Sequence, residues 1–403
     1  MRDGGPFCSA PEGGPAGSGG MAADGERIGV TRLTLTDFRA YAHLRLDVDL
    51  RPVVLTGHNG AGKTNLLEAL SFLSPGRGLR RAKLSEVGRR DAPAAPYGGW
   101  AVAARVHGPL GDVTIGTGRE PGPGDRRTVH IDGETARSQG DLGHYVTALW
   151  LTPDMDRLFQ EGASGRRRFL DRMVYGLDPA HAARTAAYET AMRQRNRLLR
   201  DGRMDKAWLA GLEDAMATHG VAVAAARRDF MGRLTAALAE AEGPFPRAGV
   251  ALDGLVEGWL DTLPAVDAED RLRDALAAAR RRDAEAGTTA EGPHRTDLKV
   301  THAGKGVPAE QCSTGEQKAV LIALVLAQAR IQASLRGTAP LLLLDEVAAH
   351  LDDDRRRALF DRLAALGAQS WLTGTDHALF AGFGDRAQYL TVKDASVSAA
   401  RLS

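Results

Sequence analysis

Residues 57–64 read GHNGAGKT, the spacing G-x-x-x-x-G-K-[ST], between the apolar run PVVLT and the helix-like NLLEALSFL. That is the chemistry of holding a triphosphate. Gly57, Gly60 and Gly62 let the loop curl through His58, Asn59 and Ala61, so that backbone N–H groups point inward at phosphate oxygens, helped by the positive end of the following helix. Lys63 would neutralise phosphate charge and Thr64 would offer its hydroxyl to Mg²⁺. Residues 341–346, LLLLDE, supply the counterpart, an apolar strand that delivers two carboxylates at its end. Asp345 suits a Mg²⁺ site shared with Thr64. Glu346 suits a base that polarises the attacking water, because γ-phosphate hydrolysis needs a positioned nucleophile and compensated charge. ATP and Mg²⁺ are the expected ligands.

A third stretch is less ordinary. Residues 311–320, QCSTGEQKAV, open into a strongly apolar run over 319–331. Ser313 before a helix is a good cap and needs no further purpose. The same residues also make a second phosphate-binding end, with a hydroxyl, exposed N–H groups, a helix dipole and a glycine that allows close backbone approach. One chain already carries one cradle, so a second would serve another molecule.

These residues need an α/β core to place them. Short alternating runs from Arg27 to Leu55, then at 100–106, 112–117, 127–132 and 145–152, read as strands separated by Gly and Pro clusters. From Pro153 to about residue 286 the chain turns to Ala, Arg, Leu and Glu at helical spacing, with breaks at Asp178-Pro179, Asp201-Gly202 and Gly243-Pro244. Strand character returns at 297–304, 341–347 and 371–375, with a helix over about 353–366. The expected division is a tail (1–25), a first ATPase part (26–152), a helical lobe (153–290) and a C-terminal ATPase part (291–403). The two halves of the core thus come from opposite ends of the chain.

Composition limits the alternatives. With 403 residues and 43% apolar content a sizeable core is available. No uninterrupted apolar run of about 18 residues occurs. Lys and Arg total 52 against 51 acidic residues, so a nucleic-acid site must be local. Cys8 and Cys312 are too few for a disulfide framework, which fits a cytoplasmic protein. The Gly- and Pro-rich tail shows no signal-peptide pattern, and Met21 is a candidate natural start. Three basic clusters stand out, at 76–84, 165–171 and 193–200. The first follows the phosphate-loop helix, which makes Arg77, Arg80, Arg81 and Lys83 the candidates to meet a duplex phosphate backbone.

The motifs together resemble those of ABC-type ATPases. Ser313, Gly315 and Gln317 match a Ser-x-Gly-x-Gln signature that, in those proteins, closes over ATP held by the other subunit; Thr314 and Glu316 fill its variable places. AAHLDDD (348–354) resembles the D-loop, with Leu351 and Asp352 on the matching positions. At the place of the usual switch histidine stand Thr373 and Thr375, with His377 following, and Gln139 and Gln160 are candidates for a Q-loop glutamine. Residues 33–50, 63–74, 165–181 (GRRRFLDRMVYGLDPAH) and 292–300 (GPHRTDLKV) resemble the RecF family of the SMC-like ABC ATPases.

That resemblance implies a fold: an α/β ABC-type ATPase head built from N- and C-terminal segments, with an inserted mainly helical lobe and no long coiled coil. It also implies a weak DNA-stimulated ATPase of recombinational repair and replication-fork maintenance, which forms an ATP-dependent homodimer on double-stranded and gapped DNA. RecO and RecR would be its partners in RecA loading, with slow hydrolysis releasing the DNA. An ATP-hydrolysing subunit of an ABC membrane transporter is the alternative.

Overall fold

A computed structural model describes residues 27–89, 91, 98–122, 124–202, 205–241, 243–349 and 351–400. The tail, with Cys8 and Met21, lies outside the described residues.

The chain begins with an antiparallel sheet. Strands β1 (Gly29–Phe38) and β2 (Tyr41–Asp47) form a hairpin, after which β3 (Val53–Thr56) runs into α1 (Lys63–Ser71). Strands β4 (Trp100–His107), β5 (Val113–Arg119), β6 (Thr128–Ile131) and β7 (Glu134–Thr135) complete the sheet in the order β2-β1-β4-β5-β6-β7. Alternating burial along β4 puts Trp100, Val102, Ala104 and Val106 on one covered face. The segment expected as a strand over 145–152 is shorter, β8 (Ala148–Leu151), because a 3₁₀ turn occupies 139–144.

Helices α2 (Ala163–Tyr175), α3 (Ala180–Arg200) and α4 (Lys206–Ala239) follow. At 34 residues α4 spans about 50 Å, yet it folds back along α3 as a hairpin within the lobe instead of extending as a coiled coil. The expected all-helical stretch also contains a strand, β9 (Ala248–Asp253), then α5 (Leu255–Trp259), α6 (Ala265–Ala278) and α7 (Arg280–Ala286). β9 pairs antiparallel with β10 (Asp297–His302), which pairs with β11 (Val307–Pro308). The pattern AGVALD, bounded by Gly-Pro upstream and Gly254 downstream, is strand-like. It is hidden by its helical neighbours.

The last segment holds α8 (Thr314–Arg336), β12 (Leu341–Leu344), α9 (Asp353–Ala365), β13 (Ser370–Gly374) and a hairpin of β14 (Gln388–Lys393) and β15 (Ser396–Ala399). These strands close the central sheet β15-β14-β3-β13-β12-β8, parallel except at β15. Thus β3 and β8 from the first part lie in one sheet with β12, β13 and β14 from the last. Leu341 and Leu343 join the core under the antiparallel sheet and α1, whereas Leu342 and Leu344 join the core around α8. A strand covered on both faces explains the unbroken LLLL. By length and composition α8 is a helix that would cross a bilayer, but most of it is buried inside this core.

Candidate functional site

The phosphate loop leaves β3 and enters α1 through three glycines at positive φ, Gly57 (151°), Gly60 (83°) and Gly62 (112°). A side chain at Gly57 would run into the Val392 carbonyl oxygen, and one at Gly62 would lie 2.7 Å from the Tyr41 hydroxyl. Ala395 donates its N–H to the Ala61 carbonyl (3.4 Å), so the β14–β15 turn braces the loop from outside. This brace escaped the sequence reading, although QYLTVKDASVSA alternates around a two-residue turn as hairpins do. Gly62 caps α1 without a side-chain partner, leaving the first N–H groups directed at the loop. His58, Asn59 and Gly60 are exposed at its rim. The Lys63 ammonium is buried and folds back on the carbonyls of Gly57 (2.6 Å) and His58 (2.9 Å). Burial lowers its pKa, against the raising pull of Glu346 and Asp345.

Thr64 meets Asp345 across the sheet, its hydroxyl 3.1 and 3.0 Å from the two carboxylate oxygens. A hydroxyl and a carboxylate converging at this distance are hard oxygen donors of the type Mg²⁺ takes, so the residues present fit that ion. Thr373 at the end of β13 donates to Asp345 Oδ1 (2.6 Å) and accepts the Glu346 N–H (2.9 Å). Glu346 has a left-handed backbone, φ 49°, a conformation that costs a non-glycine residue about 1–3 kcal/mol and persists where surrounding contacts hold it. Of the residues considered for a switch position, buried Thr373 reaches the Asp345 carboxylate and the Glu346 backbone. Thr375 is exposed, and His377 is taken up by Thr56 (2.6 Å) and Thr391 (3.3 Å).

Neither glutamine considered for a Q-loop lies at the end of the strand beside the carboxylates. At the end of β8, where Asp345 N–H donates to the Leu151 carbonyl, the chain carries Thr152, Pro153 and Asp154, and these line a cleft with Thr64, Asp345 and Glu346. Gln139 lies farther along the same cleft, near Arg127 (3.5 Å), and Gln160 is exposed outside its lining.

At the start of α8, Ser313 forms a capping box. Its hydroxyl accepts the Glu316 N–H (3.4 Å) while Glu316 accepts the Ser313 N–H (3.1 Å). Lys305 holds Glu316 from the other side at 2.5 Å, and these contacts lower the Glu316 pKa to about 2. Ser313 and Thr314 are exposed and Gly315 half-buried. Gln317 differs from expectation: it is buried, donating its amide to the Cys312 carbonyl (2.8 Å), because the fourth helical position faces the core. The outward carboxyl-type side chain of the turn is Glu316, and Gln317 holds the turn from beneath. Leu351 is buried in the α8 core, while exposed Asp352 caps α9 by accepting the Arg355 N–H (2.8 Å).

The cleft, about 1070 Å³, runs from the carboxylates past Arg77, Arg80 and Arg81 to Arg168 and Arg172 of α2. Arg80 binds Asn65 (3.0 Å) and buried Glu68 (3.1 Å), both on α1, and Glu68 also takes Arg39 at 2.5 Å. The basic segment is therefore pinned to the phosphate-loop helix. Arg77, Arg81 and Lys83 are exposed and make no ion pair among the described residues. Lys83 lies outside the cleft lining.

This geometry has relatives. The RecF/RecN/SMC N-terminal domain family matches residues 29–395. The "DNA replication and repair protein RecF" of Rhizobium johnstonii is 52% identical over 374 residues, 92% of this chain and 99% of that protein. That of Allorhizobium ampelinum is 52% identical over 376 residues, 93% of this chain and 99% of its own. Among solved structures, the ATP complex of the recombination mediator protein RecF shares the fold at TM-score 0.80, with 22% identity over 93% of this chain and 98% of that one. A Pyrococcus furiosus Smc head shares it at 0.53, with 16% identity over 93% and 96%.

Proposed function

The chain belongs to the RecF family of SMC-like ABC ATPases, and from that premise we propose that it is an ATP-dependent DNA-binding protein of recombinational repair and replication-fork maintenance. The transporter alternative falls away, because its relatives at about half identity across nine-tenths of the chain are DNA replication and repair proteins. The observation that carries the working model is a separation. Thr64, Asp345 and Glu346 share one cleft, whereas none of residues 313–317 lines it.

ATP phosphates occupy the cradle of Gly57–Thr64, where the inward N–H groups and Lys63 offset their charge. Thr64 and Asp345 are the residues that would hold Mg²⁺, which when bound neutralises charge between phosphates. Glu346 accepts a proton from water beside the γ-phosphate. Two chains close head to tail, and the turn of Ser313, Thr314 and Gly315 meets the other chain's γ-phosphate, with Gln317 supporting it and exposed Asp352 at the interface, anchored by Leu351 in the core beneath. The closed dimer grips duplex DNA near gaps through Arg77, Arg80, Arg81 and Lys83, and slow, DNA-stimulated hydrolysis releases it. RecR and RecO act with it to load RecA, in the cytoplasm. The chain divides into an N-terminal ATPase part (26–152), a helical lobe (153–290) and a C-terminal ATPase part (291–403).

Ser313→Arg tests the trans arrangement. The variant should bind ATP as the parent does and form no ATP-dependent dimers in light scattering; dimers that persist overturn it. A gel shift on gapped duplex, with and without ATP and across salt concentrations, tests the DNA role. Binding should require ATP and fall steeply with salt.

A further inference from the structure

Lys318 lies one and a half helical turns beyond the Ser313 cap, in a place that the nucleotide and signature motifs leave unexplained. Its side chain is 8% exposed, and its ammonium donates to the Glu346 carbonyl at 3.1 Å. Asp156, on the 3₁₀ turn after β8, lies 3.5 Å away as its countercharge. A buried ammonium costs free energy unless it is paired and hydrogen-bonded. From Ala319 to Ala327 helix α8 buries an unbroken run of apolar side chains, so an apolar residue at 318 would extend that run with no such cost.

The ammonium spends its bond on an unusual carbonyl. Glu346 is the left-handed residue of the site, and both ends of its backbone are tethered. Its N–H donates to Thr373 (2.9 Å), and its carbonyl accepts from Lys318 and, within its own turn, from Ala349 N–H (3.2 Å). Fixing N–H and carbonyl fixes the direction in which the Glu346 carboxylate leaves the backbone.

We propose that Lys318 is a positioning residue for hydrolysis: its ammonium, held by Asp156, clamps the Glu346 carbonyl so that the carboxylate faces the γ-phosphate site, and it joins that carboxylate to the signature helix of the same chain. This rests on the reading of Glu346 as the water-activating base. Lys318 does not line the cleft that holds Thr64, Asp345 and Glu346. A signature turn that shifts on meeting a second molecule moves Lys318 with it, since the two share one rigid helix.

The test uses full-length Lys318→Met and Lys318→Arg beside Glu346→Gln, with ATP binding, ATP-dependent dimerisation, turnover and thermal melting measured on each. Lys318→Met should keep the parent's melting temperature, KM for ATP and ATP-dependent dimers while kcat falls by at least about tenfold, less than the roughly 10²–10⁴-fold a lost general base costs because the carboxylate is misdirected and not removed. Lys318→Arg, which keeps a cation and a donor, should recover a large part of kcat. The double variant Lys318→Met/Glu346→Gln should be no slower than Glu346→Gln alone, because both act on one carboxylate. An unchanged kcat in Lys318→Met, a loss that arrives as raised KM, or losses that multiply in the double variant would each overturn the inference while leaving Glu346 as base. Full turnover by Glu346→Gln would instead remove the base and the inference together.

Discussion

Two helix N-termini for which we propose comparable jobs are built in opposite ways. Helix α1 starts at Gly62 with no side-chain cap, inside a loop where Gly57 and Gly62 have no room for a Cβ. Helix α8 starts at Ser313 with a capping box completed by Glu316 and braced by Lys305. The first is open, and its donors stay exposed to the loop until an anion arrives. The second is closed on itself, so that Ser313 and Glu316 N–H groups are satisfied and only those of Thr314 and Gly315 remain directed outward. An end that must hold most of a triphosphate cannot afford a competing cap. An end proposed to touch one phosphate of a second molecule gains from being ordered beforehand, and the box orders it.

The largest effect should fall on the carboxylate the two ends serve jointly. Glu346→Gln removes the base and keeps size and backbone, so steady-state phosphate release should fall by about 10²–10⁴-fold, the usual worth of a positioned general base. Nucleotide affinity should stay, and ATP-bound dimers should accumulate in light scattering.

A pH-sensitive contact outside both ends separates the stability of the fold from the state of the caps. His294, in the turn leading to β10, accepts the Tyr188 hydroxyl proton at Nδ1 (2.7 Å) and donates from Nε2 to the Thr289 carbonyl (2.9 Å), since a carbonyl can only accept. Burial lowers its pKa from 6.5 to about 4. The unfolded chain therefore binds the proton first as pH drops, so stability is complete above pH 6.5 and declines between 6.5 and about 4. At about 1.4 kcal/mol per pH unit the loss approaches 3 kcal/mol. Denaturant midpoints across that window should show it, and His294→Gln should flatten the slope. Glu316, with its pKa lowered to about 2, stays ionised through that window, so the decline reports the His294 contact and not the cap.

Lys63→Ala examines the open end. Losing a charge-assisted bond of about 1.5–3 kcal/mol should weaken ATP binding by about 10- to 100-fold in a fluorescent-nucleotide titration. In the structure this ammonium bridges Gly57 and His58 carbonyls, so the loop should also become more susceptible to proteolysis.

The open end was legible in sequence because its requirements are local: glycines at fixed spacing, a lysine, a hydroxyl and a strand before them. The parallel sheet was legible too, since VVLT, LLLL and WLTG are buried on both faces and carry no polar interruption until their ends. What stayed hidden depends on partners far along the chain. Gln317 looks like a ligand until the helix phase turns it toward Cys312. β9 is a strand only because β10 pairs with it, and Thr152–Asp154 reach the site only because β8 lies beside β12. The Arg39–Glu68–Arg80 bridge, which ties the basic segment to α1, joins residues that no short window contains.

The smallest change separates the two uses of Ser313. As a cap alone, its hydroxyl is worth about 1 kcal/mol, which Ser313→Ala should remove, while Ser313→Gly should cost only a few tenths because glycine is itself a tolerable cap. Thermal melts should show that difference between the two variants. ATP-dependent dimerisation should not follow it: both variants lack the hydroxyl, so if that group meets the other chain's phosphate, dimer formation should be weakened to the same extent in each. Dimerisation that tracks the melts, intact in Ser313→Gly and reduced in Ser313→Ala, would mean that the hydroxyl only orders the turn, and that contact with the second molecule rests on the Thr314 and Gly315 N–H groups alone.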